Sequence, residues 1–296
     1  MMSVTERGAL LALLRTSGQR WSTVTDEVET AGSALEVLRG GTSGQMSLFQ
    51  SDDTDTDALA ESAEHEIQAW EREGLRFVTL LDREYPAQLL TVHQRPPFLM
   101  MKGRPDDDDA RGVAIVGTRK ASDEGIQSAY RLASALAQAG VPVASGLAAG
   151  IDTGALSGAL SAGGRAVAVI GTGLHHSYPK ENADLQERIS KVGLVISQFL
   201  PDTPPTKATF PMRNAVMSGY TAATVVVEAP YKSGARMQAR LALEHGRHVF
   251  LLESLLVNDW AQTYAKRPNT TVVRSVSDVL DHIEPILATD QDLVWA

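Results

Sequence analysis

The stretch from Gly112 to Asn182 constrains the fold more than any other part of the chain. It reads GVAIVGTRKASDEG, then after a helix-like run VPVASGLAAGIDTGALSGAL, then RAVAVIGTGLHHSYPKEN. Three times a short run of Val, Ile and Ala ends in Gly or Ser-Gly and gives way to small polar residues. Runs apolar at every position suit strands buried on both faces of a parallel sheet. Glycine just past such a strand lets the backbone turn tightly and approach a ligand, often a phosphate at a helix N-terminus. Open parallel sheets bind ligands beyond the carboxyl ends of their strands. These three ends therefore mark the expected working face.

The alternation continues beyond this stretch. Strands are predicted near 113–117, 142–145, 166–170, 193–197, 223–228, 248–252 and 271–273. Helices are predicted over about 124–139, 152–163, 181–191, 211–218, 234–245, 258–266 and 276–283, with Gly140 and Gly246 where helix C-caps belong. Strand–helix alternation of this kind gives an α/β fold with a doubly wound, mostly parallel sheet. Residues 1–45 read as a small helical domain, with an apolar face at Leu10–Leu14 and a second helix over Asp26–Arg39. Residues 46–57 read as an acidic linker, 58–285 as the sheet domain and 286–296 as a tail. Within the sheet domain a helix is expected over Ala58–Glu73, a strand over Phe77–Leu81 and another over Phe98–Met101. The run Asp106 to Asp109 reads as a solvated loop without the ligand spacing of a calcium site.

Charge separates the two parts. Residues 1–110 hold 10 Lys and Arg against 20 Asp and Glu, whereas residues 111–285 hold 17 against 14. A net charge of −9 thus conceals a mildly basic sheet domain, which permits phosphate contacts. There is no cysteine, so disulfide and thiolate chemistry are excluded. The first apolar run, Ala9 to Leu14, is too short for a signal-peptide core or a membrane span, and a cytoplasmic setting is expected.

Candidate ligand residues cluster after the strands. Gly117, Thr118, Arg119 and Lys120 offer a tight turn, a hydroxyl and a fork of donors suited to phosphate, or else a plain basic turn. Ser145 and Gly146 close the second strand, and Asp152 beyond them is expected to N-cap a helix from Thr153. The glycine spacing is not G-x-G-x-x-G, so no dinucleotide fingerprint is present. Gly171 and Gly173 follow the third strand and lead to Lys180 and Asn182, placed to meet a phosphate, to read a base edge or to cap a helix. Phe210, Arg213 and Asn214 are the residue types that stack a base and grip its backbone, or else start a helix with Phe210 in the core. Glu228 is a ribose acceptor or a loop brace, and Ser233 and Gly234 open the next helix. His175 and His176 lack metal-ligand spacing, so no metal or other cofactor is expected.

Taken together, the strings VAIVGTR, SGLAAGID, AVIGTGL, YPKEN, FPMRN, VVVEA and SGARMQA, with REYPAQLL and RPPFLMMKG before them, resemble the DNA-processing protein A (DprA/Smf) family. The resemblance implies an extended Rossmann-like domain preceded by a small domain like SAM or helix-hairpin-helix modules. It also implies single-stranded DNA binding, loading of a RecA-type recombinase, a homodimer and no catalysis. Carried over by position, the DNA-contacting group is Thr118, Arg119, Lys180, Arg213 and Asn214. The chain departs from the family at Ala149 and Ala215, where Arg is usual, and at Leu156, where His is usual. It departs again at Glu253-Ser254, where a proline-glycine turn is usual. Two other readings compete: a relative acting as the neutralising or sensing component of a phage-defence or toxin–antitoxin system, and a nucleotide phosphoribohydrolase-like enzyme. The enzyme reading lacks its PGGxGTxxE string here. The segment Leu255 to Tyr264 is unusual for the family; Leu255 and Leu256 are expected in the core, and Trp260 either there or at a dimer contact.

Overall fold

A computed structural model describes residues 5–40, 53–93 and 95–293. The chain divides into two compact units, Met1–Tyr85 with Gln94–Met101, and Pro86–His93 with Lys102–Ala296.

In the first unit, helix α1 (Glu6–Thr16) buries Leu10, Leu11 and Leu13, and Thr5 caps its start by accepting from Gly8 N at 3.1 Å. The single helix expected over 26–39 is two: α2 (Trp21–Ala31) and α3 (Ala34–Gly40). Gly32 ends α2 in the left-handed region at φ 70°, where glycine carries no Cβ penalty. The new helix start is held from a distance, since the Glu6 carboxylate accepts from Ala34 N (2.6 Å) and Leu35 N (3.1 Å). Such a cap satisfies donors that a helix N-terminus otherwise leaves open. Helix α4 (Asp53–Arg72) begins five residues before the expected Ala58, and the rest of the expected linker lies outside the described residues. Strands β1 (Leu75–Thr79) and β2 (Phe98–Gly103) are neighbours, with Phe77 stacked on Phe98 at 4.8 Å and Trp21 tilted against it at 5.2 Å.

In the second unit, seven strands among the described residues lie parallel. They are β3 (Val113–Val116), β4 (Val143–Ser145), β5 (Ala166–Val169), β6 (Leu194–Ser197), β7 (Ala223–Val226), β8 (His248–Leu252) and β9 (Thr270–Val273). Their order is β6-β5-β4-β3-β7-β8-β9, with Val113 level with both Val143 and Ala223. The chain winds outward from β3 to β6, then crosses back to β7 and winds the other way. The doubly wound parallel sheet expected from the apolar runs is therefore present, and its direction reverses beside β3. That reversal opens a crevice at the carboxyl ends of β3 and β7.

Helices α6 (Asp123–Gln138), α7 (Ile151–Ser161), α8 (Ala183–Val192), α9 (Thr209–Tyr220), α10 (Gly234–Glu244) and α11 (Asp259–Tyr264) follow their strands, after the short α5 (Ala87–Leu90). A Cβ on Gly154 would come within 2.9 Å of Ile126 O, and one on Gly158 would strike Tyr130 O, so these glycines let α6 and α7 pack backbone to backbone. Helix α12 (Val276–Leu293) takes in residues 286–293 of the stretch expected as a tail, the rest of which lies outside the described residues. No described helix is long and apolar enough to cross a membrane.

Two sequence expectations change. Asp109 is not in a solvated loop: it is 1% exposed, accepts from Tyr220 Oη at 2.8 Å and pairs with Arg165. Burial beside that carboxylate pushes the Tyr220 phenol well above its usual range. Trp260 is 3% exposed and sits edge-on to Tyr264 at 5.5 Å, so both are core residues and offer no dimer surface. Leu255 is buried as expected, Leu256 is only half-buried, and Val257, 84% exposed, is the apolar side chain of this segment most open to solvent.

Candidate nucleic-acid interface

An open cleft of about 970 Å³ lies at the β3–β7 reversal. One wall is the loop after β3. Gly117 gives it passage, since a Cβ there would run into Ile151 and come within 2.9 Å of Glu228 O. Thr118 N donates to Glu228 O at 2.7 Å, and Thr118 Oγ1 accepts from Lys120 N at 3.2 Å, which folds the loop so that Arg119 and Lys120 are exposed. The Glu228 carboxylate accepts from Ser122 N (3.1 Å) and Ser122 Oγ (2.9 Å). Of its two expected roles, bracing the loop is the one these bonds provide.

Arg119 does not point into open solvent. Its guanidinium lies 4.7 Å from the Phe210 ring centroid and 6.0 Å from that of Tyr178, and the two rings are 5.5 Å apart. A cation over aromatic faces is held by the ring quadrupole while its donors stay available. Phe210 is half-buried and Tyr178 is exposed at 41%. A Cβ on Gly171 would approach the Phe210 ring to 2.8 Å, so that glycine makes room for the ring.

The cleft floor is ionic but sealed. Arg213 is 5% exposed and donates to Gly146 O, to Val169 O at 2.8 Å and, through Nε, to Asn214 Oδ1 at 2.9 Å. Gly146 has no room for a Cβ against that guanidinium. Asp152 lies buried in the first turn of α7 and accepts from Ala148 N at 3.3 Å; Gly150, rather than Asp152, is the helix cap. Burial pushes the Asp152 carboxyl up and the Arg213 guanidinium down, both toward their neutral forms, and their mutual attraction offsets this only in part. Arg119 adds a repulsion on Arg213. Asn214 donates to Gly234 O at 3.3 Å and so ties α9 to the start of α10, where Ser233 caps by accepting from Ala235 N at 3.1 Å.

The residues expected as ligands thus separate into two groups. Gly117, Thr118, Arg119, Lys120, Phe210, Arg213, Asn214, Ser233 and Gly234 line the one cleft. Ser145 is buried and donates to Ile115 O at 2.6 Å, while buried Asn182 donates to Leu147 O (2.9 Å) and Thr153 Oγ1 (2.8 Å). Gly173 packs against the Pro201 carbonyl. These support the walls from behind. Lys180 is exposed, two residues from Tyr178, but outside the cleft lining. His175 and His176 both hydrogen-bond Asp202, and no metal-binding cluster occurs among the described residues. Of the positions that depart from the expected family pattern, Leu156 is fully buried and Ala149 is exposed. Lys232 also lines the cleft and was not singled out by the sequence, because it falls between the strings VVVEA and SGARMQA and belongs to neither.

Comparison with known proteins agrees with this architecture. The family model for DNA recombination-mediator protein A matches residues 76–288. Protein Smf of Synechocystis is 39% identical over 63% of this chain and 48% of its own length. The DNA processing protein DprA of Bacillus subtilis is 34% identical over 66% of each chain, and that of Streptococcus pneumoniae 36% identical over 70% of this chain and 73% of its own. The chain therefore spans about half the length of the first of these relatives. Among solved structures, DprA of S. pneumoniae superposes with a TM-score of 0.74 at 29% identity, covering 96% of this chain and 99% of that one. The Helicobacter pylori protein, whose structure describes a single-stranded DNA binding mode, gives 0.61 at 26% identity over 73% of this chain and 96% of its own.

Proposed function

The chain belongs to the DNA recombination-mediator protein A family, and from that premise we propose that it is a DNA-processing protein that binds single-stranded DNA at the β3–β7 cleft. The observation that carries this is the Arg119–Phe210–Tyr178 group at the cleft mouth, a guanidinium without a carboxylate partner among the described residues, resting on two aromatic rings. Single strands are bound with little sequence preference by cations that follow the backbone and by ring faces on which any base stacks. Arg119, Lys120 and Lys232 supply the cations at the cleft, with Lys180 beyond it, while Arg213 acts from beneath as a brace. Further support comes from the relative from H. pylori.

The reading extends to hand-over of the strand to a RecA-type recombinase, to a homodimer and to a cytoplasmic setting, all three resting on the family. Trp260 is not part of such a dimer's surface, and light scattering that returns only monomer at micromolar concentration would refute the pairing. The non-enzymatic reading rests on the family as well. Titration with oligo-dT at several salt concentrations tests the binding itself. Three to four phosphate contacts predict log affinity falling with log salt at a slope of about −2 to −3. Absence of binding at low salt would end the proposal.

A further inference from the structure

The lip of the cleft opposite Arg119 carries a second set of cations and rings. The loop Pro230–Ser233 forms that lip, and Pro230, Lys232 and Ser233 line the cleft directly. Tyr231 is 59% exposed, and the Arg236 guanidinium lies 4.4 Å from its ring centroid. Arg236 also interacts with Tyr264, and the Arg267 guanidinium lies 4.3 Å from the Tyr264 ring. The result is an alternating series, Tyr231, Arg236, Tyr264, Arg267, in which Tyr264 is buried and Tyr231 presents the exposed ring.

We propose that this series, with Lys232, is a second stacking and phosphate-gripping platform, which receives the next stretch of a single strand after it leaves the Arg119 lip. Cation–π contacts on their own are ordinary, arising about once in 70–80 residues. Their placement is what carries weight: every one found among the described residues belongs either to the Arg119 group or to this series. Charge points the same way. Some exposed arginines of this unit meet carboxylates, as Arg240 does with Glu244 and Arg274 with Glu253. Lys232, Arg236 and Arg267 form no ion pair among the described residues, so their charge faces solvent uncompensated.

Two groups of aromatic face and open guanidinium at one cleft suit a strand passing from one to the other. The occupant is a single-stranded nucleic acid, because an exposed ring beneath a guanidinium gives a base a face and its phosphate a donor together.

This rests on the single-strand reading above, and the test keeps the two apart. Affinities for oligo-dT of about four and about sixteen nucleotides, the ends of the range of single-domain sites, are measured for the wild type, Tyr231→Ala, Arg236→Gln and Arg119→Ala. The expected result is that Tyr231→Ala and Arg236→Gln lower the ratio of long to short affinity about tenfold, as loss of one stacked base implies. Arg119→Ala lowers both affinities. A wild type that binds neither probe ends the single-strand reading and this inference with it. A wild type that binds while both lip variants keep its ratio ends this inference alone. Equal loss on both lengths also overturns it, by placing Tyr231 in the first site. So does an unaltered ratio combined with lost capture of a RecA-type recombinase, which would make the lip a protein-binding surface. Because Tyr231 is exposed and Arg236 has no ion pair, melting temperatures near wild type accompany the expected result.

Discussion

Replacing Arg119 with Ala is expected to lower affinity for oligo-dT at least about tenfold, while leaving the melting temperature close to wild type. Two losses combine. One phosphate contact disappears, which flattens the salt slope by about 0.7 for a single strand. The Phe210 and Tyr178 rings also lose the cation 4.7 Å and 6.0 Å from their centroids, and with it the order it gives them for stacking a base. Stability is spared because the side chain is exposed and makes no ion pair among the described residues. Arg119→Lys should fall between, since it keeps the charge and loses the planar fork. Fluorescence anisotropy across a salt series reads both effects. Full affinity in the Ala variant would remove this loop from the site.

Arg213→Met is expected to do the opposite, destabilising the fold first and affecting DNA only through it. Arg213 is buried and donates to the Gly146 and Val169 carbonyls, so its removal leaves those acceptors and the Asp152 carboxylate without it. Breaking a buried charge arrangement from one side costs about 3–5 kcal/mol. At about 2–4 °C per kcal/mol for a domain of this size, the melting temperature falls by about 10 °C. Asp152→Asn combined with Arg213→Met should cost less than the two single changes added together, because the two groups share one environment. Thermal denaturation of the four proteins closes that cycle. A variant that melts like the wild type yet loses DNA would make Arg213 a ligand rather than a brace.

The fold was legible because its signals are local. Val113–Val116 and Ala166–Val169 are apolar at every position, short and soon followed by glycine, as strands buried on both faces are. The cleft was legible for a related reason: glycines after those strands announce a backbone that must turn closely, as Gly117 does against Ile151. What the sequence did not carry is which polar residues lie under the surface. FPMRN offers an aromatic, an arginine and an asparagine, yet only Phe210 reaches the mouth while Arg213 and Asn214 hold the floor. That division depends on Gly146 and Val169, more than forty residues away in sequence, and no local pattern contains it. Asp109 misled in the same way, because its partners Arg165 and Tyr220 are distant. The Tyr231–Arg236 pair was missed because five-residue spacing across a helix start matches no regular periodicity. Tyr264 and Arg267, three apart, were detectable as neighbours but not as a continuation of the Tyr231–Arg236 pair.

The central claim is that a single strand lies across the β3–β7 cleft, and hydrogen–deuterium exchange with and without saturating oligo-dT tests it most directly. The account predicts slowed exchange in two separate segments, residues 117–122 on one lip and residues 230–236 on the other, with the strand interiors unaltered. Saturating binding that leaves residues 117–122 exchanging as in the free protein, or that slows exchange only in the helices of the first unit, would contradict it.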